Sequence, residues 1–268
     1  MDYEEIIYEK ADGIATITLN RPERMNAFTG KMIGEWLAAL TDAHHDDEVK
    51  VVIVTGAGRG FCAGADVRGG GPIGNLMDRK RTLVENRNFL RDSVQRIPRL
   101  VAIMDKPYIA ALNGAAAGAG MDMASMCDIR FAAEGARFGM TYVRMGIIPG
   151  DGGCYYLPKI VGMARALDLI WSGRMFDANE ALEMGYVSAV LPPDQLLDHT
   201  REYAMKLVKG PSVAIQQAKR LAYRSQDVGI DSALDLAQQA MFMAQSSEDA
   251  KEGPKAFAEK RPPEFKGR

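Results

Sequence analysis

Cysteine is scarce in this chain: Cys62, Cys127 and Cys154 stand far apart among 268 residues, with no Cys-x-x-Cys pair. That pattern excludes a disulfide framework and a zinc ribbon, and three free thiols suit a reducing compartment. Histidine is equally rare. His44 and His45 fall in "TDAHHDDEVK", a polar helix end and loop, and His199 stands alone, so no metal site is expected. No apolar run approaches the roughly 20 residues that span a bilayer. The start, "MDYEEIIYEK", is acidic and lacks the basic and apolar regions of a signal peptide. The net charge of −2 is too small to draw nucleic acid or an anionic membrane. A Gly-x-x-x-x-Gly-Lys-Ser/Thr string is missing too, which removes the phosphate-binding P-loop. The expectation is a cytoplasmic protein without a nucleic-acid or membrane partner.

What is present is an ordinary globular composition at a length that buries a sizeable core. "EEIIYEK" and "GIATITLN" read as a hairpin closed at Asp12-Gly13. A helix follows with Ile33, Trp36, Leu37 and Leu40 at helical spacing, then a strand buried on both faces over Val49–Thr55. From Asp78 one long helix carries Leu83, Leu90, Val94 and Ile97 and stops before Pro98. "KPYIAALNG" and "DIRFAAE" read as strands, with the small-residue helix start "AGAGMDMASMC" between them. Beyond Pro192 the chain reads as four helices. The division expected is a β/α core over 1–195 and a helical region over 196–268.

The informative segments are two loops of glycine and alanine, "FCAGAD" and "NGAAAGAGMD". A dinucleotide site is the first rival reading, because "TGAGRGFC" approximates a dehydrogenase turn and "YYLPK" supplies Tyr155 and Lys159. Cys62 stands where that fingerprint needs its last glycine, and Pro158 falls inside the helix turn that would hold the pair. The second reading is an oxyanion hole. Small residues let a thioester approach the main chain, and two preorganised N–H groups then stabilise the charge that grows on its oxygen. The second loop also opens a helix, whose N-terminus favours an anion.

These loops, with "ITLNRPERMNAF", "GIIPGDGG", "ALEMGYVSAVLP" and "KRPPEF" in order, resemble the enoyl-CoA hydratase/isomerase (crotonase) superfamily along nearly the whole chain. The resemblance implies an α/β fold, a crotonase-like spiral of ββα repeats, with a C-terminal helical region that assembles homotrimers or homohexamers. It implies an enzyme that stabilises a thioester enolate, in enoyl-CoA hydration or double-bond isomerisation. An acyl-CoA hydrolase and a noncatalytic CoA-binding protein of the same fold are the alternatives. The oxyanion hole falls on the backbone N–H groups of Ala65 and Ala119. CoA, entering as part of the substrate, falls along Arg24, Ala27, Ala63 and Asp66, with Phe257 and Lys260 from the tail. Asp66 also reads as a brace of the oxyanion loop. No further cofactor and no metal are implied.

The acid–base positions depart from the family. Its hydratases carry two glutamates, at the places of Asp122 and Tyr142 here. Asp122 keeps a carboxylate on a shorter stem, and its alternative role is a structural hydrogen bond. Tyr142, with an ordinary pKa of about 10, is a poor base near neutrality and serves as a donor or as a wall of the acyl pocket. Asp151 in "IIPGDGG" either caps the following helix or works as a second carboxylate. The loop "VRGGGPIGNLM" is expected to shape the acyl pocket.

Overall fold

The computed structural model describes residues 2–66 and 82–267. The loop "VRGGGPIGNLM" and the proposed helix start at Asp78 lie outside them. The chain opens with the expected hairpin, β1 (Ile6–Ala11) antiparallel to β2 (Ile14–Leu19). Its turn works because Asp12 and Gly13 both take positive φ, which fits the twist of the paired strands. Helix α1 (Gly30–His45) is capped by Thr29, whose side chain accepts from Met32 N, and it buries Ile33, Trp36 and Leu40 on one face.

From there the strands alternate between two sheets. β3 (Val51–Gly56), β5 (Tyr108–Leu112), β7 (Ile129–Ala133) and β10 (Ala189–Leu191) join the hairpin in a six-stranded sheet ordered β1-β2-β3-β5-β7-β10, parallel from β2 onward. β4 (Gly60–Cys62), β6 (Ala115–Ala117), β8 (Arg137–Gly139) and β9 (Phe176–Asp177) form a second sheet in that order. β3, β5 and β7 are each followed by a short strand of the small sheet, β4, β6 and β8, so the chain advances as a spiral of ββα turns. The run Val51–Val54 is buried on both faces, which is why it reads as continuous apolar sequence. One face packs on α1; the other is covered by α8 (Leu196–Val208), whose Leu196 and Ala204 meet Ile53, Ile109 and Phe131.

Two expectations about helices are corrected. The segment before β5 holds not one helix but α2 (Leu83–Asp92) and α3 (Arg96–Val101), interrupted at Ser93–Gln95. Pro98 lies inside α3 rather than beyond a helix end; it sits in the first turn, where its missing N–H has no intrahelical partner to lose. Further on come α4 (Ala119–Ser125), α5 (Gly153–Val161), α6 (Met163–Ser172) and α7 (Ala178–Glu183). α5 runs through Pro158; the carbonyl that loses its donor belongs to Cys154, an exposed residue. After α8 the chain continues as α9 (Ser212–Arg224), α10 (Ile230–Gln245) and α11 (Asp249–Glu259). Among the described residues no helix is long and apolar enough to cross a membrane.

Candidate active site

β4 and β6 run parallel and adjacent, so the two glycine loops leave the same end of the small sheet. Gly64 takes φ +95°, and a Cβ built there would stand 2.9 Å from Ala117 O and 3.4 Å from Ala119 N. Glycine is therefore what lets the loops touch. Ala65 pairs with Phe28 in an isolated parallel bridge, whose hydrogen bonds run from Phe28 N to Gly64 O and from Asp66 N to Phe28 O. In such a bridge the N–H of Ala65 itself points away from Phe28. Ala119 is the first residue of α4, where helix geometry leaves the N–H without an intrahelical acceptor. The contact at Gly64 brings together the two loops that carry these N–H groups.

The loop pair is braced by Asp66, which the sequence nominated, and by Asn26 and Arg21, which it did not. Asn26, buried and at φ +54°, donates from Nδ2 to Ala57 O and Gly60 O and accepts from Arg21 N. Arg21 Nη2 lies 3.1 Å from Asp66 Oδ2, and Nη1 donates to Ala27 O. Asp66 is buried in that ion pair, which holds the loop that presents Ala65. The only sequence signal for Asn26 is a turn-forming residue type inside "NRPERMNAF". Arg24 is exposed at the end of a single 3₁₀ turn, Ala27 is half-buried and Ala63 is exposed. Phe257, on α11, is 87% exposed and touches little of its own chain, and Lys260 follows that helix in a left-handed cap.

Three acid–base candidates converge. Tyr142 Oη lies 2.8 Å from Asp122 Oδ2 and 3.1 Å from Asp151 Oδ2. The backbone N–H of Asp151 donates to Asp122 Oδ2 at 3.2 Å. Asp122 comes from α4, Tyr142 from the 3₁₀ turn Thr141–Met145, and Asp151 from the turn before α5. Asp151 does not cap that helix: the cap residue is Gly152, and no side chain bonds there. Asp122 is 0% exposed, and Asp151 and Tyr142 are each 6% exposed. Burial, then the neighbouring Asp151 charge, pushes Asp122 up to about 8, against the hydrogen bond from Tyr142. Burial pushes Asp151 up to about 6, with the Tyr142 hydroxyl pulling the other way. The Tyr142 phenol, buried beside two carboxyls, rises well above its ordinary value and stays protonated.

Tyr155 and Lys159, the pair of the dehydrogenase reading, sit exposed on α5, with Lys159 Nζ 2.9 Å from Tyr155 Oη and 3.1 Å from Asp227. Their partner is a surface carboxylate.

Comparison with known proteins decides between the rivals. The family profile described as "Enoyl-CoA hydratase/isomerase" matches residues 9–268. The chain belongs to this family. The short-chain-enoyl-CoA hydratase of Clostridium acetobutylicum is 37% identical, with 100% of each chain covered. The 1,2-epoxyphenylacetyl-CoA isomerase of Escherichia coli is 36% identical over 99% of each. Among solved structures, an enoyl-CoA hydratase from Bacillus anthracis superimposes with a TM-score of 0.90 at 33% identity, covering 99% of this chain and 100% of that one. The spiral ββα architecture expected from the resemblance is the one observed.

Proposed function

We propose that this chain is an acyl-CoA enzyme that moves the double bond of an enoyl-CoA. Its oxyanion hole is formed by the N–H groups of Ala65 and Ala119, and its acid–base cluster is Asp122, Tyr142 and Asp151. The observation that carries this reading is the Tyr142 hydroxyl standing within hydrogen-bond distance of both carboxyls. The phenol oxygen fills the space between the two carboxyls. Isomerisation asks less than hydration: one proton leaves a carbon and returns to another while the oxyanion hole stabilises the intermediate dienolate. CoA enters with the substrate along Arg24, Ala27 and Ala63, with Asp66 holding the loop. Enolate chemistry at a thioester calls for no metal or redox cofactor, and the compartment proposed is the cytoplasm.

Phe257 and Lys260 are proposed to meet the CoA of a neighbouring copy in a homotrimer or homohexamer. Assembly through the region 196–268 is supported by α10, which buries no residue in its own chain and exposes Ile230, Leu234, Met241 and Phe242. Apolar surface on that scale is normally covered in solution.

Hydration is the second reading, favoured by the name of the Clostridium relative and by the presence of two carboxyls. A single pair of assays separates them. With a 3-enoyl-CoA, isomerisation raises the absorbance of the conjugated thioester; with crotonoyl-CoA, hydration removes it. Rise without loss supports the isomerase, and loss in the second assay without rise in the first supports the hydratase.

A further inference from the structure

Tyr142 has one proton and two carboxyl neighbours. If Asp122 and Asp151 were both ionised, only one could accept that proton, and the other would face the lone pairs of the phenol oxygen in a buried site. The geometry therefore favours one more proton, held by one of the carboxyls and donated to Tyr142 Oη. Burial decides which. Asp122 is 0% exposed, and among the described residues its Oδ1 has no well-formed hydrogen bond, only the backbone of Gly153 beside it. Ionised, it would leave charge on a buried oxygen with only the Gly153 backbone beside it, whereas a neutral carboxyl leaves only a carbonyl there. Asp151 keeps some exposure and has no such orphaned atom.

We infer, on the reading that this site enolises an acyl-CoA, that Asp151 is the catalytic base and that Asp122 is a neutral positioning acid acting through Tyr142. Asp122 donates to Tyr142 Oη, and Tyr142 donates to Asp151. The hydroxyl is thereby fixed toward the base, and a free carboxylate oxygen of Asp151 is left for the substrate. In the forward step a substrate C–H bond breaks and its proton forms an O–H bond on Asp151. The electron pair passes into the thioester as a dienolate at the oxyanion hole. The same O–H bond then breaks to protonate the other carbon, and Asp151 is an anion again. No oxidant or second reactant enters.

Two further titratable groups stand near Asp122: Cys154 on α5 and Tyr186 beyond α7, both raised first by burial. Arg130 lies over the Tyr186 ring, 5.4 Å from its centroid. The base must be ionised and the acid protonated, so activity rises with pH through about 6 and falls through about 8.

The test is the pH profile of α-proton exchange between an acyl-CoA and D₂O, alongside isomerisation. Asp151→Asn should lose about 10²–10⁴-fold at every pH. Asp122→Asn can still donate to Tyr142 but loses the titrating proton; it should keep clearly more activity than Asp151→Asn and lose the alkaline limb. Tyr142→Phe removes the bond that lowers the Asp151 pKa, so its acid limb should move to higher pH. An Asp122→Asn protein that melts like wild type yet is as inactive as Asp151→Asn, or that keeps the alkaline limb, overturns the assignment. If wild type exchanges protons but does not isomerise, the isomerase reading fails while the base assignment stands or falls on the variants. No exchange in wild type overturns both.

Discussion

Gly120 is the second residue of α4, and a Cβ there would stand 2.1 Å from Cys62 O and 2.8 Å from Cys62 C. Both partners are backbone, so no side chain can swing aside. Gly120→Ala must push α4 away from the β4 loop, and ordinary contact begins at 3.4 Å. The Ala119 N–H rides on one side of that gap and the Ala65 N–H on the other. Misplacing reacting groups by about 1 Å costs about 10²-fold, and losing an oxyanion donor about 10²–10³-fold. Stability changes less: overpacking costs about 1–3 kcal/mol, partly offset by the roughly 1 kcal/mol that alanine gains over glycine in a helix. The assay is steady-state turnover of a 3-enoyl-CoA beside thermal melting, with kcat and kcat/KM falling together because the lost interaction belongs to the transition state. Gly34→Ala is the control, since nothing lies within 4 Å of its Cβ. Wild-type kcat in Gly120→Ala would refute the placement of the oxyanion hole.

Three further outcomes follow from the same geometry. Gly153→Ala places a Cβ 2.1 Å from Asp122 Oδ1 and 3.0 Å from Pro149 Cβ, so it should displace Asp122 and reshape the alkaline limb of the pH profile, read by rate assays across pH. Arg21→Ala removes the ion pair to the buried Asp66 and should cost about 3 kcal/mol, read by urea unfolding, with activity lost alongside. Phe242→Glu, at a side chain 70% exposed on α10, should lower the oligomeric mass in light scattering and leave the circular dichroism spectrum unchanged.

Much of this was legible because single residues carry local chemistry. Asp12-Gly13 announces the hairpin turn, the β-branched run ending at Thr55 announces a strand covered on both sides, and "FCAGAD" and "NGAAAGAGMD" announce main chain laid bare. What escaped depends on contacts between distant segments. Spacing cannot show that Tyr142 would stand between Asp122 and Asp151, since the three come from separate elements and their pKa values follow from shared burial. Asp151 before a helix reads as a cap until Gly152 is seen in that place. The helical period from Leu90 to Ile97 survives the interruption at Ser93–Gln95, so two helices read as one. Asn26 looks like any turn residue, although it ties the loops around it together.

The most direct measurement is the exchange of the α protons of butyryl-CoA with D₂O, followed by mass spectrometry on wild-type protein already shown to bind the thioester. A saturated acyl chain offers no double bond to hydrate or move, so exchange reports enolate formation alone. Deuterium entering the α carbon, and not doing so in Asp151→Asn, is the result expected. Tight binding with no exchange would contradict the account and leave the chain a CoA-binding protein without the chemistry.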